Sequence, residues 1–174
     1  VIITYYYNIL TQRYLFFLLI FFFIIGLLSL KFKIPVINFL LKNFERKKYL
    51  KKFPFKGMVF FLAGCLLAIK IFPKDIALAS IIILTLGDSI SFLVGNFLGK
   101  TKLHFNKLKN IEGILAGAFF AFLGSLFFVN IIEGFFASLI AMIVEGAGFK
   151  IGVSDIDDNV IVPLVAGTVI YLFR

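Results

Sequence analysis

Apolar residues in this chain come in long runs, and short charged or glycine-bearing loops cut the runs apart. About 20 consecutive apolar residues suffice for a helix to cross a hydrocarbon core. On that criterion the chain predicts six spans, at about 14–30, 57–72, 76–94, 111–129, 131–147 and 160–173. Residues 1–10 are apolar and aromatic but too short to cross alone, and read as part of a helix. Between the spans lie a basic segment at 31–56, broken by Pro35 and Pro54, with 36–41 as a short interfacial piece. A tight turn at 73–75, a basic loop at 95–110, a break near Asn130 and an acidic loop at 150–159 follow.

Composition agrees with the pattern. The 174 residues are 61% apolar, with 25 Phe and no Trp, against about 45–50% apolar in ordinary soluble domains. Mean hydropathy is +1.07. The fold class expected is all-α, a polytopic transmembrane bundle of about six spans plus the N-terminal partial helix, forming one integral membrane domain over 1–174. A net charge of +9 would point a soluble protein toward nucleic acid. Here the lysines sit between spans, where they set orientation and meet anionic headgroups, so no nucleic-acid partner is expected. The single Cys65 lies inside a span and reads as packing, without a disulfide or a cysteine metal site.

Charge sets the expected orientation. Segment 31–56 carries nine Lys/Arg, and the loop at 95–110 carries four, Lys100, Lys102, Lys107 and Lys109. Two spans separate these segments, so they share a side, which the positive-inside rule makes cytoplasmic. Two further spans return the chain to that side at 150–159. Lys48, Lys102 and Asp155 are therefore expected inside, and Lys74 and Asn130 outside.

Acids at membrane depth cost roughly 2.5–3.5 kcal/mol or more each, so they are rarely incidental. Asp88, Glu112, Glu145, Asp157 and Asp158 all fall near the cytoplasmic ends of their segments and are expected to converge there. Glu133 falls at the other side. Such a cluster suits Mg²⁺, which combines one or two carboxylates with waters and substrate phosphates. Lys100, Lys102, Lys107 and Lys109 are placed to hold phosphate, and Gly87, Gly95, Gly99 and Gly113 let backbone come close to a nucleotide. Each has a plainer reading: ion pairing for Asp88, solvated helix ends for Glu112 and Glu145, topology for the lysines, and helix packing for Gly95-x-x-x-Gly99. His104 and Asp155 read as loop residues.

Taken in order, the residues carry a resemblance. Gly87-Asp88-Ser89, Gly95, Gly99-Lys100, Lys109-Asn110-Ile111-Glu112-Gly113, Glu145, and Asp157-Asp158-Asn159 with Pro163 and Gly167 resemble the CTP-dependent lipid-alcohol kinases. That family includes dolichol (polyprenol), phytol and yeast-type diacylglycerol kinases. The similarity runs over about 57–167. It implies transfer of the terminal phosphate of CTP, or of another nucleoside triphosphate, to the hydroxyl of an isoprenoid alcohol or similar membrane lipid, with a divalent cation. By the same resemblance Asp88, Asp157 and Asp158 would hold metal, and Asp88, Glu112 and Glu145 would act in catalysis. Ser89, Gly95, Gly99, Lys100, Lys102, Lys109, Gly113 and Asn159 would contact nucleotide and phosphate. The Arg-Lys-x-x-His motif usual near the family's N-terminus is not found within 1–174; Glu45-Arg46-Lys47-Lys48 lacks the His.

Two other classes compete. The phosphatidate cytidylyltransferases (CDP-diacylglycerol synthases) share the Gly-Asp-Ser element and a Gly-Lys-x-Lys-Leu stretch, here Gly99-Lys100-Thr101-Lys102-Leu103, but their C-terminal signature is not found. A non-enzymatic transporter would use buried acids for ions, and would show inverted halves or broken helices. The sequence does not choose among lipid alcohols, among CTP, ATP and UTP, or among oligomeric states.

Overall fold

The computed structural model describes residues 1–6, 12–31, 54–104, 106, 109–148, 150–151, 154–155 and 157–174. The central stretch of the basic segment, with Lys33, Pro35, Lys42, Arg46, Lys47, Lys48, Lys51 and Lys52, lies outside them, as does Lys107. Seven helices occur among the described residues: α1 (Ile2–Tyr6), α2 (Gln12–Lys31), α3 (Lys56–Ile71), α4 (Lys74–Phe97), α5 (Ile111–Ser125), α6 (Ile131–Ala147) and α7 (Asp158–Phe173). A two-residue antiparallel ladder, β1 (Lys150–Ile151) with β2 (Ser154–Asp155), is the non-helical element between α6 and α7.

A helix stands at each of the six predicted spans, and four boundaries move for physical reasons. The expected turn at 73–75 is instead the start of α4, with Pro73 at the N-cap and Asp75 in the first turn. Proline's fixed φ suits a helix start and a carboxylate suits its positive end. At its other end α4 runs on through Gly95 to Phe97, so Gly95 is helical and the expected loop begins later. α5 stops at Ser125 rather than near 129. The Ser125 carbonyl there accepts from the Phe128 and Val129 amides, which closes a turn. The acidic loop is likewise shortened, because Asp157 caps α7 at Asp158.

Among the described residues, two helices are long and apolar enough to cross a membrane, α2 over residues 12–30 and α4 over its 24 residues. The others span 16, 15, 17 and 16 residues. At 1.5 Å per residue these are roughly 22–26 Å long, short of the ~30 Å hydrocarbon thickness. On α2 only Leu15 and Gly26 are buried among its described side chains; Phe16, Phe17, Phe21 and Phe23 face outward.

The bundle packs through small residues. α4 and α5 form the most extensive pair, followed by α6 with α7 and α5 with α6. Between α4 and α5 a methyl on Gly117 would sit 2.7 Å from the Gly87 carbonyl oxygen, so only glycine allows this approach. Ile76, Ile83, Leu84, Ala121, Ala137, Ala141, Val162, Ala166 and Ile170 fill the core of α4–α7. A second core joins Leu15 of α2, Leu62, Cys65 and Ala68 of α3, and Ala77 and Ile81 of α4. α3 closes on α7 where a side chain on Gly64 would collide with the Asn159 carbonyl. That carbonyl's helical partner four residues on is Pro163, which has no N–H to offer it.

α4 through α7 alternate in direction. The C-terminus of α4, the N-terminus of α5, the C-terminus of α6 and the N-terminus of α7 therefore share one end of the bundle, together with Lys56 at the start of α3. A separate charged cluster closes the other end. Arg174 pairs with Asp75 at 2.6 Å and with Glu133 at 3.5 Å. Glu133 is buried there and completes a capping box with Asn130 at the start of α6.

Candidate active site

The loop joining α4 to α5 is a small hairpin. Lys102 and Asn110 form an antiparallel bridge, the Ile111 amide donates to Thr101 O at 3.0 Å, and the Leu103 amide donates to Lys109 O at 3.1 Å. The hairpin is fixed at three points. Asn106 Nδ2 donates to the Gly146 carbonyl of α6 at 3.0 Å. The Glu112 carboxylate, in the first turn of α5, accepts from the Thr101 amide at 2.9 and 3.3 Å. Asn110 Nδ2 donates across to the Gly95 carbonyl near the end of α4.

Asn110 precedes α5 but its side chain does not cap that helix. The bond to Gly95 occupies it instead, and it fills the space where a Gly99 side chain would stand. Gly113 similarly lies against α4: a methyl there would be 2.5 Å from Ser91 O and 3.1 Å from Gly95 Cα. Gly95, Gly99 and Gly113 thus serve the α4–hairpin–α5 joint directly.

The hairpin sets Lys109 between two helices. Its ammonium bonds Glu145 of α6 and lies 4.0 Å from Asp88 Oδ1 of α4. The Glu145 side chain is 0% exposed, that of Lys109 26%, and that of Asp88 48%. Glu145 uses one oxygen on Lys109, and its Oε2 is buried with no hydrogen-bond partner among the described residues. Asn110 Oδ1 is buried in the same state. Both Asp88 and Asp158 lie within electrostatic reach of the Glu145 carboxylate. The Lys109 ammonium therefore stands between carboxylates from α4 and α6.

The remaining predicted residues divide clearly. Asp157 is the N-cap of α7, accepting from the Asn159 amide at 3.3 Å and from Asn159 Nδ2 at 2.8 Å, and it pairs with Lys56 at 3.2 Å. Asn159 is thereby tied to its own helix start. Ser89 is exposed on α4, and Lys100 and Lys102 are exposed on the outer limb of the hairpin. The structure thus brings Asp88, Lys109 and Glu145 together, with Asp158 at the start of α7 at the same end of the bundle, while Glu112 and Asp157 are turned to local partners. No group of three or more His, Cys, Asp or Glu arranged to hold a metal ion occurs among the described residues.

Two features went unread in the sequence. The Asp75–Arg174–Glu133 cluster joins residues far apart in the chain, and no local pattern marks it, although Asn130-x-x-Glu133 does show a capping box. The role of Asn110 as a cross-helix tie was also hidden, because an Asn just before a helix reads as a cap.

No family model matches the chain, and no solved structure matches it. A similar protein is the CTP-dependent diacylglycerol kinase 1 of Schizosaccharomyces pombe, 26% identical over 139 residues. The matched region covers 70% of this chain and 62% of that relative, so the chain spans less than two thirds of the relative's length.

Proposed function

We propose that this protein is a membrane-embedded lipid kinase. It transfers the terminal phosphate of a nucleoside triphosphate, CTP by preference, to the hydroxyl of an isoprenoid alcohol or similar lipid. The observation that carries this reading is the Lys109 ammonium held between the half-exposed Asp88 and the buried Glu145 at one end of the bundle. The similarity to a CTP-dependent diacylglycerol kinase supports it. In this reading all six long helices cross the bilayer, the four shorter ones with the lipid thinned locally around them, and the site lies at the cytoplasmic boundary.

The residues present fit a divalent cation of the kind that leaves most of its coordination to phosphate and water. Asp88 offers a carboxylate that solvent reaches, and Asp158 lies near the same cluster. Of the Asp157–Asp158 pair, Asp157 is engaged with Lys56 and with the start of α7. Bound beside Asp88, Mg²⁺ supplies charge neutralisation on the phosphate oxygens.

The chain's own groups then do the following. Lys100, Lys102 and Lys109 hold phosphate oxygens from one hairpin, Ser89 and Asn159 flank them, and Gly95, Gly99 and Gly113 let that hairpin close on α4. Glu112 fixes the hairpin through Thr101 rather than touching substrate. Glu145 Oε2, the oxygen that Lys109 leaves unused, orients the lipid hydroxyl and accepts its proton. The lipid oxygen forms a bond to the terminal phosphorus as the bond from that phosphorus to the bridging oxygen breaks. A nucleoside diphosphate leaves. The experiment is an assay of purified protein in lipid, with γ-labelled CTP, ATP or UTP and a panel of lipid alcohols. Label in the lipid and release of diphosphate support the reading; pyrophosphate release would assign a cytidylyltransferase; neither product would end the enzyme reading.

A further inference from the structure

Lys109 does more than the proposed chemistry asks of it. Its ammonium bonds an acid whose second oxygen is buried with no hydrogen-bond partner among the described residues. The Glu145 side chain has no exposed surface, and Lys109 is the partner that its other oxygen holds. Its second ion pair, to Asp88, is at the limit of contact, and Asp88 is half open to solvent. Lys109 thus has one tight partner on the inside and one loose partner on the outside. Its backbone is pinned by the Leu103 and Asn106 hydrogen bonds, so the freedom lies in the side chain.

We infer that Lys109 is a latch that phosphate opens, which makes substrate binding ordered, nucleotide before lipid. The inference rests on the kinase reading above. Phosphate oxygens are strong partners for an ammonium and compete for it best on the open, Asp88 side. When the phosphates of a nucleotide take Lys109, it swings outward and Glu145 is uncovered toward the apolar flank of the bundle. Without nucleotide the lipid hydroxyl finds Glu145 closed. The arrangement keeps a buried carboxylate paired until a substrate is ready for it, and so avoids an isolated charge in an apolar setting.

Reaction of Glu145 with a hydrophobic carbodiimide tests this on the intact protein in lipid vesicles, read by peptide mass spectrometry. The probes are Mg²⁺ with a non-hydrolysable CTP analogue, Mg²⁺ alone, and no addition. The analogue is expected to raise Glu145 modification at least threefold over both controls, with Glu112 as an internal reference that stays level. Modification that is unchanged or lowered by the analogue overturns the latch. A second measurement uses a photoreactive lipid alcohol. The parent is expected to cross-link only with the analogue present, and Lys109→Gln with and without it alike. Equal cross-linking of the parent in both conditions also overturns the latch. Phosphate transfer by the parent in the labelled-nucleotide assay separates the two ideas, since the kinase reading stands or falls there whatever the carbodiimide shows.

Discussion

Lys109 and Glu145 should be unequal partners in stability, and the structure says by how much. Lys109→Met keeps the side chain's stem and removes the ammonium. Glu145, with no exposed surface, is then left buried without its described counter-ion, whether it stays charged or takes up a proton. Breaking a buried pair from one side costs roughly 3–5 kcal/mol, and since Lys109 is itself partly open the expected loss is about 3 kcal/mol. Glu145→Gln is different. It keeps the shape, removes the buried charge, and leaves Lys109 near Asp88 and within reach of water. Its expected cost is about 1 kcal/mol. The double variant should be more stable than Lys109→Met alone by about 2 kcal/mol, because it removes the stranded carboxylate. In a chain of this size each kcal/mol moves the midpoint by roughly 2–4 °C. Lys109→Met should therefore melt roughly 6–12 °C below the parent, with the double variant regaining half or more of that. The assay is thermal unfolding in detergent at one fixed scan rate, since such proteins commonly unfold irreversibly. A Lys109→Met midpoint equal to that of Glu145→Gln, or a double variant no better than Lys109→Met, would refute the buried-pair reasoning.

Three further outcomes are expected. Asp88→Asn should abolish lipid phosphorylation while folding is kept, and should lose the stabilisation by Mg²⁺-nucleotide, which in the parent is about 2.7 kcal/mol at a hundred times Kd; an active but unstable variant would make Asp88 a structural ion-pair partner. Gly99→Ala drives a methyl into the Asn110 side chain and should cost roughly 1–3 kcal/mol, whereas Gly57→Ala, with nothing within 4 Å of the new methyl, should stay within about 0.5 kcal/mol of the parent in the same melting assay. Arg174→Ala should cost about 1–2 kcal/mol by leaving the buried Glu133 without its cation, the figure being lowered because Arg174 is 42% exposed; an unchanged midpoint would show that the capping box alone satisfies Glu133.

The sequence made the helices legible because continuous apolar runs leave few alternatives to helix at these lengths. Ile131–Ala147 shows this best: Asn130 and Glu133 mark its start, and Gly148 with φ 63° marks its end. Ends without such signals moved. α4 continued through Gly95 because there the glycine is a packing residue against Gly113 rather than a helix stop. The shared end of the acids followed from counting segments, since parity does not depend on knowing any contact. What counting could not give was which acids meet. Glu112 and Asp157 carry the same carboxylate group as Glu145 and lie as near a helix end, yet the Thr101 amide takes the first and Lys56 with Asn159 takes the second. Those partners are set by how the hairpin folds back on α5 and how α3 meets α7, and neither is written at a fixed sequence spacing.

That sorting changes what a ligand must do. Read separately, the acids suit a cation and the lysines suit phosphate. In the folded chain the best-placed lysine and the most buried acid already satisfy each other, so the protein without substrates avoids much of the cost that either would carry alone. Asp88 and Glu145 still set two carboxylates against the ammonium of Lys109. A bare polyphosphate would add negative charge to that excess and compete for that ammonium. On the proposed kinase reading, a nucleotide that arrives with a divalent metal would restore the balance as it takes the lysine. That reading favours the metal–nucleotide pair over either component, and the proposed latch would bring the lipid hydroxyl in last, at Glu145.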